Sequence, residues 1–495
     1  MAERETEIYQ TAEPPVLHIF VVGFHHQKGA TVEFVWPPLI TSDGVNPDTG
    51  SSYTRLLPPQ WKHLPHLALP DGCHNYEEDS VFFTLPSLAD PIKQPVYGVA
   101  CCRQIDSKDL PHVCEDVTRS TVQKSVCMLS CFPIFGFIEA KLKLVTHAYF
   151  NTKDFSDFQI LQEAYEQFNM SINLKSALKV VDVGLSQRQQ VFRYQHRLLQ
   201  VFKSLLLRKR VLVFGAPVKD LCSSVLAIAS LFPLSLESLV DSECTGRSEY
   251  GFPLSVFPQL SLQPYLSLQQ IGALTNEGSS ASGILAGVVN PLFEKQKRNV
   301  CDVFVNMEGG LISIQDPELK PILHLTVADL RFCSLLTDVI HTQDDGAQHS
   351  DWQGSNEWMQ SQFSLYLLSL LATSCSGDTL AMDDFNPAFM VAWLESPVYR
   401  AWLETKHEGI SVIEPRHICE GELSVGDLKR RLMAQASDYG LSVQSREQVA
   451  HVMQETQKVI SQTAGQMSSA VSGVWSAAST AVYSWWSRDS EPNSH

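Results

Sequence analysis

The residues best suited to chemistry lie in KHLPHLALPDGCHNYEED, where His63, His66, Cys73 and His74 supply the donor types that hold zinc. The adjacent pair Cys73-His74 is awkward as a chelate for one ion. Pro65 and Pro70 also make the backbone between them irregular. The expectation is an ordered surface loop with no metal. In GSSASG, Gly278 to Gly283, serines lie between glycines five residues apart, where the Gly-x-Ser-x-Gly elbow of a nucleophilic serine needs four. A flexible loop is expected there. The chain contains no Gly-x-x-x-x-Gly-Lys-Ser/Thr phosphate loop and no Gly-x-Gly-x-x-Gly after a strand. His25-His26 reads as a turn, and the basic runs Arg208-Lys209-Arg210 and Lys429-Arg430-Arg431 as solvated faces. No catalytic residue is assigned and no cofactor is expected.

Composition narrows the class further. The chain of 495 residues has 37 basic and 54 acidic side chains and a formal net charge of -17. Such a balance repels nucleic-acid backbone, so no nucleic-acid partner is expected. The 12 cysteines include no Cys-x-x-Cys pair, which suits reduced thiols. The opening MAERETEIYQTAEPP is charged and polar, unlike a secretory signal or transit peptide. Apolar runs such as LCSSVLAIASLFPL and FSLYLLSLLATSC fall short of the ~18–20 residues a membrane span requires, and read as core helices.

The elements that would carry a site follow in three lobes. Residues 1–14 read as a disordered lead-in. In 15–150, strands are expected at VLHIFVVGF, ATVEFVWPP, SVFFTLP, VYGVACCRQI and STVQKSVCMLS. A helix follows in PIFGFIEAKLKLVTHAYF, with Phe137, Ala140, Leu144 and Ala148 as its apolar face. Residues 151–195 connect to a central α/β lobe, 196–320. There a helix in LLQVFKSLLL precedes a strand in RVLVFGAPV and a helix in DLCSSVLAIASLF, and GILAGVVN and CDVFVNMEGGLISIQD read as two more strands. Residues 321–437 turn helical in TVADLRFCSLLTDVIH, NEWMQSQFSLYLLSLLAT, NPAFMVAWL and SVGDLKRRLM, the last with Ser424 as its expected N-cap. The fold class is α/β followed by all-α.

Residues 438–495 form the tail. On a helical wheel, Val449, Met453, Thr456, Ile460, Ala464, Met467, Val471, Val474, Ala478, Val482 and Trp485 share one stripe. That stripe runs for about 57 Å at the α-helical rise. Trp475 and Trp486 flank it, while Tyr483 points to the polar side. From Val459 to Ser487 the polar face carries no charge. Serine and glycine favour coil, so such a helix forms poorly in water and folds when its Val/Trp side enters loosely packed acyl chains. Met467, Val471, Val474, Trp475, Ala478, Val482, Trp485 and Trp486 are the expected membrane-binding residues. Docking on the protein's own body, a coiled coil, and a membrane span remain open as alternatives.

PVLHIFVVGFHHQKGATVEFVWPPL, LALPDGCHNYEEDSVFFTLP and VYGVACCRQI resemble the Avl-nine family of DENN-domain proteins. So do TVQKSVCMLS, KLKLVTHAYFNTKDFS, DPELK with TVADLRF, and the Ser/Trp-rich tail. The joint around Ser238 to Tyr250 is shorter than the polar insert that relatives can carry. The resemblance implies a tripartite DENN module, with a longin-like first lobe, an α/β second lobe and a helical third. It also implies a Rab-type small GTPase as partner, docked across the first two lobes. The protein either speeds GDP release from that GTPase or acts as a non-enzymatic scaffold or effector. It implies a place in late secretory, exocytic or recycling traffic and in cell migration. The expected location is cytoplasmic, peripheral on Golgi-derived, exocytic or recycling endosome membranes.

Overall fold

The computed structural model describes residues 14–39, 57–88, 95–110, 121–240, 248–258, 260–275, 283–344 and 352–438. Its first sheet is antiparallel, with strands β1 (Val16–His25), β2 (Gly29–Trp36), β3 (Glu78–Leu85), β4 (Val96–Asp106) and β5 (Thr121–Ser130) in the order β2-β1-β5-β4-β3. All five expected strands are present. β1 is buried on both faces over Ile19 to Val22, which is why it reads as a continuous apolar run rather than an alternation. His25 and His26 form the β1–β2 turn: His25 Nδ1 accepts from the backbone N–H of Gln27 and Lys28 at 3.1 and 3.3 Å. Gly98 faces Phe83 across β3–β4, and a Cβ there would lie 2.2 Å from the Phe83 ring. The phenyl ring occupies the space that the missing side chain leaves.

A short helix α1 (Leu64–Ala68) and the long α2 (Phe135–Asn151) cover this sheet. The apolar face of α2 is not the expected one. Leu144 is 71% exposed, and the buried residues are Phe135, Gly136, Ile138, Glu139, Leu142, Thr146, Tyr149 and Phe150. Two polar members disguise the true stripe. Thr146 is satisfied by its own helix, donating to Leu142 O at 2.8 Å, and Glu139 is paired with a lysine that follows the first strand of the second sheet. The expected connecting segment is itself helical, as α3 (Gln159–Ser171), α4 (Leu174–Val180) and α5 (Gln187–Tyr194). α3 docks on β1, where the Asn169 amide accepts from Val16 N at 2.8 Å and donates to Val16 O at 3.2 Å.

The second sheet holds β6 (Arg210–Phe214), β7 (Leu262–Gln263), β8 (Ile284–Val288), β9 (Val303–Asn306) and β10 (Leu311–Ile314), ordered β10-β9-β6-β8-β7. β6 runs parallel to both β8 and β9, and β7 parallel to β8. CDVFVNMEGGLISIQD is not one strand but the β9–β10 hairpin, turned at Met307 to Gly310, where Gly310 has φ +59°. Helices α6 (Arg197–Leu206), α7 (Val218–Ala229), α8 (Glu237–Val240), α9 (Ile271–Thr275), α10 (Pro291–Lys295) and α11 (Lys297–Val300) accompany it. Leu212, Ala286, Val288, Phe293, Val300 and Phe304 form one apolar cluster at its centre.

Helices α12 (Leu319–Ile322), α13 (Val327–Asp344), α14 (Asn356–Ser376), α15 (Thr379–Asp383), α16 (Pro387–Leu394) and α17 (Pro397–Leu403) follow. α14 starts at Ser355, whose hydroxyl accepts from Trp358 N, and stops at Gly377 with φ +70°. Asn386, at φ +78°, donates its amide to the carbonyls of Pro321, Ile322 and His324 at 2.8–3.2 Å, fastening α16 to α12. An N-terminal antiparallel sheet and α/β elements thus precede helices. No helix among the described residues is long and apolar enough to cross a membrane.

Residues 1–421 make one compact unit and 422–495 a second. The described part of the second contains α18 (Val425–Asp438). At its start Asp427 accepts from both the N–H and the hydroxyl of Ser424 at 2.8 Å, so Ser424 donates to the first turn.

Candidate functional site at the junction of the two sheets

The two sheets meet along β3, the edge strand of the first. An edge strand leaves outward N–H and C=O groups that need partners when buried. Here α7 supplies one: Phe82 N donates to Cys222 Sγ at 3.4 Å, and the thiol donates to Phe82 O at 3.5 Å. Thr84 Oγ1 donates to Leu262 O of β7 at 3.3 Å. Nearby, Asp71 N donates to Tyr265 Oη at 3.2 Å and Asn290 Nδ2 to Asp71 Oδ2 at 3.0 Å.

The motif HNYEED ends at this seam. α7 is preceded by Pro217, which has no side-chain donor or acceptor, so its first amides lack a local cap. Asp79 of β3 provides it: Oδ2 accepts from Val218 N at 2.9 Å and Oδ1 from Lys219 N at 3.1 Å. The carboxylate is thus set at the positive end of the dipole of a helix that follows the second sheet's β6. Burial raises the Asp79 pKa above its ordinary value, against the pull of three backbone donors at Ser80, Val218 and Lys219. Lys219 then turns back towards the first sheet, pairing with Glu139 of α2 and lying 4.7 Å from the Phe82 ring centroid.

A second buried cluster ties the helical region to α6. Lys203 Nζ lies 2.5 Å from Asp329 Oδ2, Tyr366 Oη donates to Asp329 Oδ1 at 2.8 Å, and His417 Nε2 is 3.5 Å from the same oxygen. Lys203, Asp329 and His417 are fully buried. Burial by itself would raise the Asp329 pKa; the Lys203 ammonium and His417 outweigh it and hold the carboxyl well below the usual carboxylate range. Neither cluster was legible in sequence. The signals were there: one lysine inside the apolar LLQVFKSLLL, and one aspartate inside TVADLRF.

Burial pushes the Cys101 thiol up to about 12 and raises Cys127 and Cys222, while contact with Cys73 and burial raise Cys102. Such thiols are protonated at neutral pH and are poor nucleophiles. No disulfide joins the described cysteines. His63 starts α1, His66 lies in its last turn, and Cys73 and His74 sit on a separate 3-10 turn. Among the described residues no group of three or more donors converges on an ion position.

The basic run at 208–210 is structural rather than solvated. Arg208 donates to Ser255 O, and Arg210 pairs with Asp302 at 2.9 Å. Of GSSASG only Gly283 is described; its φ is +81°. Met467, Val471, Val474, Trp475, Ala478, Val482, Trp485 and Trp486 lie outside the described residues.

A family model described as "Transport protein Avl9" matches residues 16–249 and 245–374. The late secretory pathway protein avl9 of Schizosaccharomyces pombe is 28% identical over 463 residues, covering 83% of this chain and 91% of that protein. The late secretory pathway protein AVL9 of Saccharomyces cerevisiae is 28% identical over 493 residues, covering 85% of this chain. This chain spans 63% of that longer protein. The junction segment and Lys203, Asp329 and Tyr366 of the second cluster fall inside the matched residues, and His417 lies beyond them. With well over half of its length matched, the chain belongs to the Avl9 family of transport proteins.

Proposed function

We propose that this protein acts in membrane traffic of the late secretory pathway, as a DENN-type module that binds a Rab-type small GTPase across its two sheets and speeds GDP release. The observation that carries this reading is the family match, with two yeast relatives named for the late secretory pathway. The layout of two sheets followed by helices fits a longin-like lobe, an α/β lobe and a helical lobe. Exchange needs no nucleophile. The factor binds the nucleotide-free GTPase more tightly than the loaded one, and that difference drives release. Such work requires surfaces held in fixed relation, and the Asp79 and Asp329 clusters suit that need.

In this reading the tail is an amphipathic helix that holds the module on Golgi-derived, exocytic or recycling endosome membranes, where a lipid-anchored GTPase resides. Replacing Trp475, Trp485 and Trp486 together by alanine then abolishes flotation with liposomes; unchanged flotation removes the tail from the account. The exchange test is release of fluorescent GDP from a panel of Rab GTPases on liposomes. Acceleration of one or two members is expected. If none is accelerated while a control exchange factor works, and the protein retains GTP-loaded GTPase instead, it is an effector or scaffold.

A further inference from the structure

The second sheet has an open edge at β10. Its register with β9 pairs Leu311 with Asn306, Ile312 with Val305, Ser313 with Phe304 and Ile314 with Val303. Gln315 N donates to Asp302 O at 2.8 Å, and Met307 N donates the other way, to Phe214 O of β6, at 2.9 Å. In an antiparallel ladder, facing pairs alternate between exchanging both bonds and exchanging none. Leu311 and Ser313 therefore spend their backbone groups on β9, and Ile312 and Ile314 turn theirs outward. Among the described residues nothing bonds to that outer side.

The edge opens beside a cleft of about 680 Å³. Ser313, Ile314 and Gln315 line it on the strand side, and Lys297, Arg298 and Lys320 supply three cations with no acidic residue in the lining. None of the three is held in an ion pair with a described residue; Lys297 lies 5.5 Å from the Phe304 ring centroid. In a chain of net charge -17, this is a local reversal of sign. A second copy of this chain is a poor occupant, because pairing β10 with β10 would set three cations against three.

We propose that β10 is a docking edge for an extended, acidic segment of a partner protein, which adds as a further strand on Ile312 and Ile314 and places carboxylates on Lys297, Arg298 and Lys320. Main-chain bonds would supply the affinity and the cations the choice of sequence. The inference goes beyond nucleotide exchange and does not depend on it. Lysines beside an open edge also serve simply to discourage aggregation, and that reading has no bound peptide.

The test uses the full chain and a fluorescent, N-acetylated probe peptide Asp-Val-Glu-Val-Asp-Val-Glu, read by anisotropy. Saturable binding is expected, weakened about tenfold or more by Lys320→Glu or Arg298→Glu, and weakened likewise when alternate peptide amides are N-methylated. Screening by salt at about 0.5 M should loosen it as well. Ile312→Pro removes an outward donor without touching the β9 ladder and should match the N-methyl loss; its fold is checked by thermal unfolding, and Lys320→Glu, an exposed position, stands if it fails. Absence of binding overturns the proposal, as does binding that ignores both N-methylation and charge reversal. Full competition by inorganic phosphate would overturn it in favour of an anion pocket. Binding of phosphatidylserine vesicles through Lys320, with no peptide binding, would overturn it in favour of a lipid contact.

Discussion

Asp79 shows how one side chain can join two sheets. Its carboxylate accepts from two first-turn amides of α7 while its own strand belongs to the other sheet. Asp79→Ala would leave those amides without a partner at a buried seam. The expected cost is about 0.5–2 kcal/mol, the range for losing a helix cap, measured by denaturant unfolding. Asp79→Asn keeps an acceptor and should cost less. The motif HNYEED was visible in sequence as a pattern, but its last residue acquires a role only when residues 79 and 218 come together.

At the scale of elements, α2 is the informative case. Its sequence offers two overlapping stripes, and the one read from apolar residues alone contains Leu144, which the fold leaves exposed. Leu142 is fully buried on the other. Leu142→Ala should therefore destabilise by about 2–5 kcal/mol, whereas Leu144→Ala should fall within about 0.5 kcal/mol of the parent. Equal effects, measured by thermal or denaturant melts, would mean that α2 is rotated about its axis, with Leu144 turned towards the sheet. Strands were easier to read than this helix. β1, β3 and β4 carry apolar runs that are buried nearly throughout, and a strand buried on both faces has no face to mistake. The two-residue β7 has no such run, and it forms only because it lies between β8 and the edge of the first sheet.

Across the whole molecule, two buried charge clusters link three regions in series. Asp79 and Lys219 join the first sheet to the second, and Lys203 and Asp329 join α6 to the helices that follow. Breaking a buried pair by removing one partner leaves the other charge unpaired, so Asp329→Asn should cost about 3–5 kcal/mol at neutral pH. The pH dependence has a definite sign. A carboxyl whose folded pKa is depressed contributes stability that is fully present above its unfolded value of about 4 and is lost as pH falls through the folded value. Unfolding measured from pH 7 downward should show a constant gap between parent and Asp329→Asn above pH ~4 and a narrowing gap below it. A gap that does not narrow in acid would mean that Asp329 is not charged in the folded protein.

The sequence by itself determined the five strands of the first sheet, the α/β-then-helical class and the family resemblance. These rest on local patterns of apolar period, turn residues and short identities, which survive in one dimension. The family match then bore out the resemblance over most of the chain. Only the tertiary structure decided what the polar residues inside those patterns do. Asp79, Glu139, Lys203, Asp329 and Asn169 are each paired with a group 80 or more residues away. A buried charge is tolerated only where a partner meets it, and partners that distant in sequence are brought together only by tertiary packing.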